Sequence, residues 1–425
     1  MNRLLSPEIK QAIDFHLSLK PYEYFVLNNG IPVYLFSGGS QEVVQLELVF
    51  FSGNFYEAKT AVAGLTNSLI RCGTKTRTAF ELSEAFDYYG SYFGSSCFSE
   101  TATITLHGLS KYLNKVLPLM RDLLTEATYP ENELNIHRKN FKQRLVVNLK
   151  KCEFVAGRQI DEMLFGNKHP YGRKIELGDL DDITVEDVRS FYDRYYKNGS
   201  CAIFISGWLP NDVQQQLNLA LGDLPLQRPD FVIPELPLEP ATERIVRIEN
   251  DSSSVQGAIR LATPFPNRHH ADFNKAGVLN ALFGGFFGSR LMSNIREDKG
   301  YTYGIYSFFK ANMKQNAWLI STEAGKDVCE AAIEEIYKEM DKLCNEEVEE
   351  DELLLVKNYL LGAVLGTLDG PFQILGRWKN IILNNLDENY FSNSIHDIKT
   401  VTPAEIKALA QKYLQPENFF ELVVY

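Results

Sequence analysis

The sequence predicts an α+β fold with two homologous domains, each a mainly antiparallel sheet packed on helices. Three observations lead to this prediction: strand-like runs mixed with helix-like runs, a proline-rich interruption near the middle, and two pairs of similar segments across it. The chain has 425 residues, of which 45% are hydrophobic and 23% charged. This composition supplies sizeable cores, and at about 150 residues per domain the length allows two or three domains.

Strand-like and helix-like runs follow each other without a strict strand–helix–strand rhythm. Residues 43–51 (VVQLELVFF) and 102–106 (ATITL) are apolar and rich in β-branched side chains, which is typical of strands. Residues 112–124 and 131–151 have the longer pattern of helices. Strands mixed with pairs of helices favour antiparallel sheets packed on helices.

The domain boundary is predicted from residues 224–240 (LPLQRPDFVIPELPLEP), a proline-rich polar stretch without a long periodic run. We therefore predict a first domain over residues 1–228, a linker over residues 229–243 and a second domain over residues 244–425.

Two pairs of segments resemble each other across this linker, which indicates an internal duplication. In the clearer pair, residues at one common offset correspond: Thr184 with Thr402, Val188 with Ile406 and Tyr195 with Tyr413. Both segments begin with a Thr followed three residues later by an acid, which is close to a capping box, and both continue into an apolar strand. The second pair aligns Ala63, Gly64 and Asn67 with Ala276, Gly277 and Asn280. The alternative is chance similarity between amphipathic helices.

The net charge argues against nucleic acid and membranes as partners. Lys and Arg number 43 against 55 Asp and Glu, a formal charge of −12, which repels a phosphate backbone or an anionic membrane. No apolar run approaches the roughly 20 residues that cross a bilayer, and the first residues lack the apolar core of a signal peptide. We therefore expect a cytoplasmic protein. The six cysteines have no Cys-x-x-Cys spacing and are expected to be reduced thiols.

Candidate chemistry in the second half lies in residues 283–309 (FGGFFGSRLMSNIREDKGYTYGIYSFF), a glycine-rich turn followed by a helix-like run and an aromatic strand. Gly284, Gly285 and Gly288 do not form a phosphate loop, because no Gly-Lys-Ser/Thr follows them, and the spacing of a dinucleotide fingerprint is absent. From the residues alone, these glycines are interpreted as positions of close packing or positive φ.

This order of parts resembles the second domain of the pitrilysin-like (insulinase) metallopeptidases, the inverted-zincin family that includes the mitochondrial processing peptidase. In that family a glycine-rich loop precedes a helix with an Arg, and a Tyr follows on a strand. Arg296 and Tyr303 match this pair in spacing and context (IREDKGYTY). The resemblance covers residues 22–425.

The resemblance implies roles for this pair and for the glycine-rich loop. Arg296 would hold a substrate carbonyl, Tyr303 would stabilise the oxyanion of peptide hydrolysis, and Gly284, Gly285 and Gly288 would contact the substrate. Without the family, Arg296 reads as a surface ion pair with Glu297 or Asp298, and Tyr303 as an aromatic side chain at the edge of a core.

The first half lacks the zinc motif of the family. Active members carry His-x-x-Glu-His on a helix, and in the matching residues 64–90 the three positions are occupied by Asn67, Ile70 and Arg71. An Asn amide is a poor zinc ligand, Ile cannot accept a proton, and Arg is a permanent cation. The third family ligand is a Glu on the next long helix, and residues 134–152 contain no Asp or Glu.

No replacement metal centre is predicted from the histidines, since none lies three or four residues from another. The expectation is therefore that this chain binds no metal itself.

A substrate-binding edge is implied by residues 91–100 (SYFGSSCFSE), which resemble the exposed strand to which a peptide adds by backbone hydrogen bonds in the family. The candidate contacts are Ser91, Phe93, Gly94, Ser95 and Ser96. The alternative is a short or bulged edge strand without a ligand.

The resemblance thus implies a non-catalytic subunit of a two-chain zinc endopeptidase that acts on peptides. A homologous partner subunit would hold the zinc, the linker would let a chamber open and close, and the isolated chain would form a homodimer in the absence of its partner. Two alternatives stay open: an inert peptide-binding or scaffold protein, and an autonomous zinc peptidase with an unrecognised metal site.

Overall fold

The computed structural model describes residues 10–252 and 254–425 and contains one sheet in each half of the chain. The strands of the first sheet are β1 (Glu23–Val26), β2 (Pro32–Ser37), β3 (Val43–Phe50), β4 (Tyr92–Cys97), β5 (Ala102–Leu109) and β6 (Cys201–Gly207). Those of the second are β7 (Ile245–Ile248), β8 (Gln256–Phe265), β9 (Thr302–Lys310), β10 (Asn316–Gly325) and β11 (Phe420–Val424). All strand pairs are antiparallel except β2 with β6 and β7 with β11.

Helices surround both sheets, which confirms the predicted α+β class. The first half contains α1 (Val62–Leu69), α2 (Ala79–Tyr88), α3 (Leu113–Glu126), α4 (Glu131–Leu149), α5 (Cys152–Phe165), α6 (Val185–Tyr192) and α7 (Val213–Leu221). The second contains α8 (Phe273–Asn280), α9 (Cys329–Asn345), α10 (Glu350–Gly366), α11 (Pro371–Leu383), α12 (Tyr390–Thr400) and α13 (Pro403–Tyr413). Three π-helical segments occur at Asp193–Lys197, Ala281–Gly285 and Met292–Asp298.

The two sheets have the same topology apart from the additional strand β1. Their strand orders are β1-β2-β6-β3-β5-β4 and β7-β11-β8-β10-β9. In the first sheet the last strand, β6, is parallel to β2 and antiparallel to β3. In the second sheet the last strand, β11, is parallel to β7 and antiparallel to β8 in the same way. The last strand therefore inserts between the first two shared strands, and β4 and β9 occupy equivalent edges.

The capping boxes predicted from the sequence are present at both equivalent helices. The side chain of Thr184 accepts a hydrogen bond from the backbone of Asp187, and the Asp187 carboxylate accepts one from the Thr184 backbone at 2.8 Å. Thr402 and Glu405 repeat this arrangement, with the return bond at 2.9 Å. Each box provides hydrogen-bond partners for backbone amides that have none within the helix, at the start of α6 and of α13. These helices precede the last strands, β6 and β11.

The other similar segments also form equivalent local structures. Ala63 on α1 and Ala276 on α8 are both fully buried, and Asn67 donates to the Tyr196 hydroxyl at 3.1 Å. Asn280 accepts a hydrogen bond from the Ser307 hydroxyl at 2.8 Å. In both places an Asn joins the first helix of the half to another element of the same core.

Besides one hydrophobic core in each half, a third core joins the halves. Helix α5 from the first half packs on β8 and β11 of the second sheet, whereas α11 from the second half packs on β2 and β6 of the first. Trp378 on α11 belongs to this shared core, and its indole donates to the carbonyl of Lys20 at 2.7 Å. Opening about the linker would expose this core to water, so the structure does not support that expectation.

Among the described residues, no single helix is long and apolar enough to cross a membrane. Helices α10 and α11 reach that length and apolar character only when taken together, and they are bent by 111° relative to each other. The six cysteines form no disulfide.

Candidate functional site

Arg296 and Tyr303 lie close together on neighbouring elements of the second domain. Arg296 belongs to the π-helical segment Met292–Asp298, and the chain turns at Gly300, whose φ of +67° favours glycine, before it enters β9. The Arg296 Nε donates a hydrogen bond to the backbone carbonyl of Tyr303 at 3.1 Å. The guanidinium also lies over the ring of Phe287, 4.6 Å from its centroid. Two contacts therefore fix the arginine beside the strand.

The Tyr303 side chain is 92% exposed, and its hydroxyl has no hydrogen-bond partner in the part of the chain that the structure describes. The interpretation of Tyr303 as a core-edge aromatic is therefore wrong. The ion pair between Arg296 and Glu297 is present at 3.4 Å, but pairs between such exposed side chains contribute little. The site thus presents a free phenol next to a positioned guanidinium.

A β-bulge explains why Tyr303 faces solvent. Ile305 pairs with Thr322, and Thr302 pairs with Ala324, so three steps along β9 face two along β10. Ile305 is buried, and simple alternation would turn Tyr303 towards the same core. The additional residue in the bulge breaks this alternation and turns the tyrosine outwards.

Two threonine hydroxyls hold the bulge in place. Those of Thr302 and Thr322 both donate to the carbonyl of Gly304, at 3.0 and 2.9 Å. The backbone amide of Gly304 donates to the Thr302 hydroxyl at 3.1 Å. The sequence analysis did not identify Thr302, Thr322 or Phe287 as part of the site. The available signal was Thr302, a β-branched polar residue directly before Tyr303 and Gly304.

The three glycines of the neighbouring turn have different environments. Gly284 is buried, and an added Cβ would lie 2.7 Å from the Cβ of Ser307, so close packing requires a glycine there. Gly285 and Gly288 are exposed, and none of the three has a left-handed conformation. The packing interpretation thus explains Gly284, while only Gly285 and Gly288 are accessible to a ligand.

The three positions of the degenerate zinc motif, on and just after α1, differ in burial. Asn67 is 2% exposed and Ile70 is fully buried in the first core, so neither side chain faces an open site. The accessible positions are Gly64, Ser68 and Arg71. Of the three motif positions, Arg71 is therefore the exposed one. The helix Val62–Leu69 itself contains no His, Cys, Asp or Glu that could bind a metal ion.

The predicted substrate strand is an edge strand in the structure. β4 pairs only with β5 among the described strands, so its other backbone edge is open. The side chains of Ser91 and Phe93 are buried, which leaves them no contact with a ligand at the surface. Gly94 and Ser95 are half-buried, and Ser96 is exposed. Any binding here would therefore depend on the backbone rather than on Ser91 or Phe93.

A cluster that the sequence analysis missed lies beyond the end of α1. Cys72 follows this helix, and Glu133 and His137 lie one turn apart on α4. The Cys72 Sγ and His137 Nε2 are 3.7 Å apart, and one ligand atom from each of the three residues lies within 4.8 Å of the others. Burial raises the pKa of Cys72 to about 11 and lowers the pKa of His137. The available signal in the sequence was the Glu-x-x-x-His spacing of Glu133 and His137.

Taken together, the structure is an α+β chain with two sheets of related topology, in which Arg296 lies beside Tyr303 and the helix Val62–Leu69 contains no His, Cys, Asp or Glu. Residues 182–360 match the family described as peptidase M16 inactive domain. This match confirms the resemblance to the pitrilysin-like metallopeptidases inferred from the sequence.

Similar proteins carry differing descriptions. The "uncharacterized zinc protease YmxG" of Bacillus subtilis is 21% identical over 416 residues, which cover 94% of this chain and 97% of that protein. The "non-peptidase homolog YmxG" of Helicobacter pylori is 22% identical over 330 residues, or 75% and 74% of the two chains.

Solved structures show the same fold. A peptidase M16 inactive domain from Pseudomonas fluorescens matches with a TM-score of 0.85 and 22% identity, over 95% of this chain and 98% of that one. The periplasmic protease PqqL of Escherichia coli matches with a TM-score of 0.78 and 15% identity, over 100% of this chain but 49% of PqqL. This chain thus corresponds in fold to half of PqqL.

Proposed function

We propose that this protein is the non-catalytic partner subunit of a heteromeric zinc metalloendopeptidase. It would supply Arg296 and Tyr303 to an active site whose zinc is held by a homologous subunit that carries His-x-x-Glu-His. One observation carries this proposal: the Tyr303 hydroxyl is free and exposed beside a positioned Arg296, in a chain whose α1 has no zinc ligand.

The chemistry of the pair suits peptide hydrolysis. Attack on a peptide carbonyl develops negative charge on its oxygen, and a phenol hydroxyl can donate to that oxygen. The Arg296 Nε is already used by the Tyr303 carbonyl, and Nη1 lies near Glu297. Because a guanidinium has five N–H donors in a planar fork, the remaining ones are available for a substrate carbonyl.

The two equivalent edge strands support peptide binding by strand addition. Among the strands of residues 10–252 and 254–425, β4 and β9 each pair with one neighbour only, and extended peptides bind to such edges through backbone hydrogen bonds. On β9 this edge begins next to Tyr303, so an added strand would pass the Arg–Tyr pair. The exposed Gly285 and Gly288 are the glycine-loop positions that remain proposed contacts.

This chain covers 49% of the periplasmic protease PqqL, so a protease of that length has room for a second unit of this size. In our proposal the second unit is a separate chain, and it alone holds the catalytic zinc. The substrate is a peptide. We keep a cytoplasmic location, and homodimer formation by the isolated chain, as predictions.

A scaffold or peptide-binding function is the second candidate. The description of a Helicobacter pylori relative as a non-peptidase homologue favours it. Such a protein would keep the open edges of β4 and β9 but would not need the Tyr303 hydroxyl. The effect of removing the Tyr303 hydroxyl therefore distinguishes a peptidase subunit from a scaffold or peptide-binding protein.

The experiment is co-expression with a relative from the same genome that carries His-x-x-Glu-His, followed by cleavage assays on unfolded peptides. We expect no cleavage by this chain alone and cleavage by the complex. Tyr303→Phe should lower kcat by about 10²–10³-fold, the loss typical of an oxyanion donor. Tyr24→Phe, on the far edge of the first sheet, is the matched control.

Three outcomes would contradict the proposal. Cleavage by this chain alone with stoichiometric zinc would establish an autonomous peptidase. A complex that binds peptide without any gain in cleavage would favour the scaffold. A complex that keeps full activity with both Tyr303→Phe and Arg296→Ala would show that neither residue has the role proposed for it.

A further inference from the structure

We propose that Cys72, Glu133 and His137 form a binding site for a divalent transition-metal ion such as Zn²⁺, outside the catalytic zinc position of the family. Thiolate, imidazole and carboxylate are the three side-chain ligands that zinc uses in proteins. The proposal reverses the expectation that this chain binds no metal. It does not depend on the proposed function, because it concerns this chain without a partner.

The geometry of the donor atoms fits a shared ion. A tetrahedral zinc with Zn–S of about 2.3 Å and Zn–N of about 2.0–2.1 Å holds sulfur and nitrogen about 3.6 Å apart. The observed distance between the Cys72 Sγ and the His137 Nε2 is 3.7 Å. Glu133 and His137 are four residues apart on α4, which places both side chains on one face of the helix. All three ligand atoms lie within 4.8 Å of each other.

The donor atoms are not committed to other partners. Within residues 10–252 and 254–425, Glu133 has no ion pair or side-chain hydrogen bond, and the only side-chain contact of this kind made by His137 is with Cys72. Glu133 and His137 are half-buried, whereas Cys72 is buried. An ion can therefore approach from the side of α4, and water can take the fourth position of a tetrahedron.

Some of the charges around the site favour a bound cation and others oppose it. A metal-bound Cys72 thiolate and the Glu133 carboxylate together balance a divalent ion. The positive charges of Arg71 and Arg144 act on His137, and that of Arg71 also acts on Cys72. Both arginines oppose a cation, so removing Arg71 should tighten binding. Occupation would connect the segment after α1 to the first turns of α4.

The test uses the purified full chain, stripped of metal and titrated with Co²⁺ and then with Zn²⁺. We expect one equivalent of Co²⁺ per chain, a thiolate-to-cobalt absorption band in the near ultraviolet, and displacement by Zn²⁺. Cys72→Ser should abolish the band, His137→Gln should weaken binding at least tenfold, and Arg71→Ala should strengthen it. Cys344→Ser changes a half-buried cysteine elsewhere and should leave the titration unchanged.

The rival interpretation is a hydrogen bond from the Cys72 thiol to His137. It predicts no stoichiometric cobalt and no thiolate band in the unchanged chain, and either result would overturn the metal site. Binding that survives Cys72→Ser would overturn it as well. If Cys72→Ser fails to fold, Glu133→Gln at a half-buried position decides the question, since it should weaken cobalt binding without changing the circular dichroism of the metal-free chain.

Discussion

The Nε of Arg296 donates a hydrogen bond to the backbone carbonyl of Tyr303 at 3.1 Å. This bond joins the π-helical segment Met292–Asp298 to the beginning of β9, so the helix side chain holds the strand residue through its backbone. The phenol is left free, because the contact uses the carbonyl and not the hydroxyl of Tyr303. Arginine is suited to this role, since its fork offers one donor to the strand and others to a ligand.

The first prediction concerns Arg296→Lys. Lysine keeps the charge but loses the planar fork, so it cannot hold the Tyr303 carbonyl and a substrate carbonyl in the same geometry. We expect kcat of the two-chain complex to fall by about 10- to 100-fold, the cost of a small misplacement in an active site. Peptide cleavage with the partner in excess measures this. Equal activity of Arg296→Lys and the unchanged chain would show that charge alone suffices.

The second prediction concerns the bulge that turns Tyr303 outwards. Thr322→Val removes a buried hydroxyl that donates to Gly304 and also contacts the Thr302 hydroxyl at 2.8 Å. Since a buried polar group loses its partner, we expect the free energy of unfolding to fall by about 1–3 kcal/mol. Urea denaturation measures this. The complex should also lose activity, whereas a merely structural threonine would change stability alone.

Gly284 and Gly277 give a matched pair for the third prediction. A Cβ at Gly284 would lie 2.7 Å from Ser307, whereas a Cβ at Gly277 on α8 would meet nothing within 4 Å. Gly284→Ala should therefore destabilise the protein by about 1–3 kcal/mol through overpacking. Gly277→Ala should stabilise it by about 0.5–1 kcal/mol, because alanine is the better helix former. Thermal unfolding of both variants checks the signs, and equal shifts would contradict the packing argument.

Local signals in the sequence predicted the duplicated elements well. The Thr-x-x-acid pattern at Thr184 and Thr402 became two capping boxes, because that interaction spans only four residues. The order of the strands was not predicted, because the insertion of β6 between β2 and β3, and of β11 between β7 and β8, depends on contacts far apart in the chain.

The burial of α1 follows the apolar periodicity of its sequence. Buried positions at residues 62, 65, 66, 69 and 70 follow the i, i+3, i+4, i+7, i+8 pattern of one helix face. Ile70 belongs to this pattern, Ala63 and Asn67 are buried beside it, and Gly64 and Ser68 are left outside. The proximity of Cys72 to His137 was beyond sequence reasoning, because it depends on how α1 packs against α4.

The fourth prediction is a pH dependence of stability at the second capping box. The side-chain hydrogen bond from Lys275, followed by that from the Thr402 backbone, lowers the pKa of Glu405 in the folded chain. A carboxyl whose folded pKa is lowered stabilises the fold above its unfolded pKa of about 4.3, and this stability is lost as the pH falls through the folded value. Glu405→Gln should therefore lower the urea midpoint at pH 6, and the difference should disappear towards pH 3. A difference that stays constant over this range would assign the effect to something other than ionisation.

The last prediction follows from the core that the two halves share. Helices α5 and α11 each pack on the sheet of the other half, so neither half can unfold without exposing the apolar side chains of this core. Trp378 lies in the shared core and Trp318 in the core of the second half, which gives a fluorescence probe in each. In Trp208→Phe variants that keep only one of these tryptophans, urea unfolding should give coincident transitions, because the halves lose their structure together. Two separated transitions would mean that the shared core contributes too little to couple the halves, and would restore the possibility that they move apart about the linker.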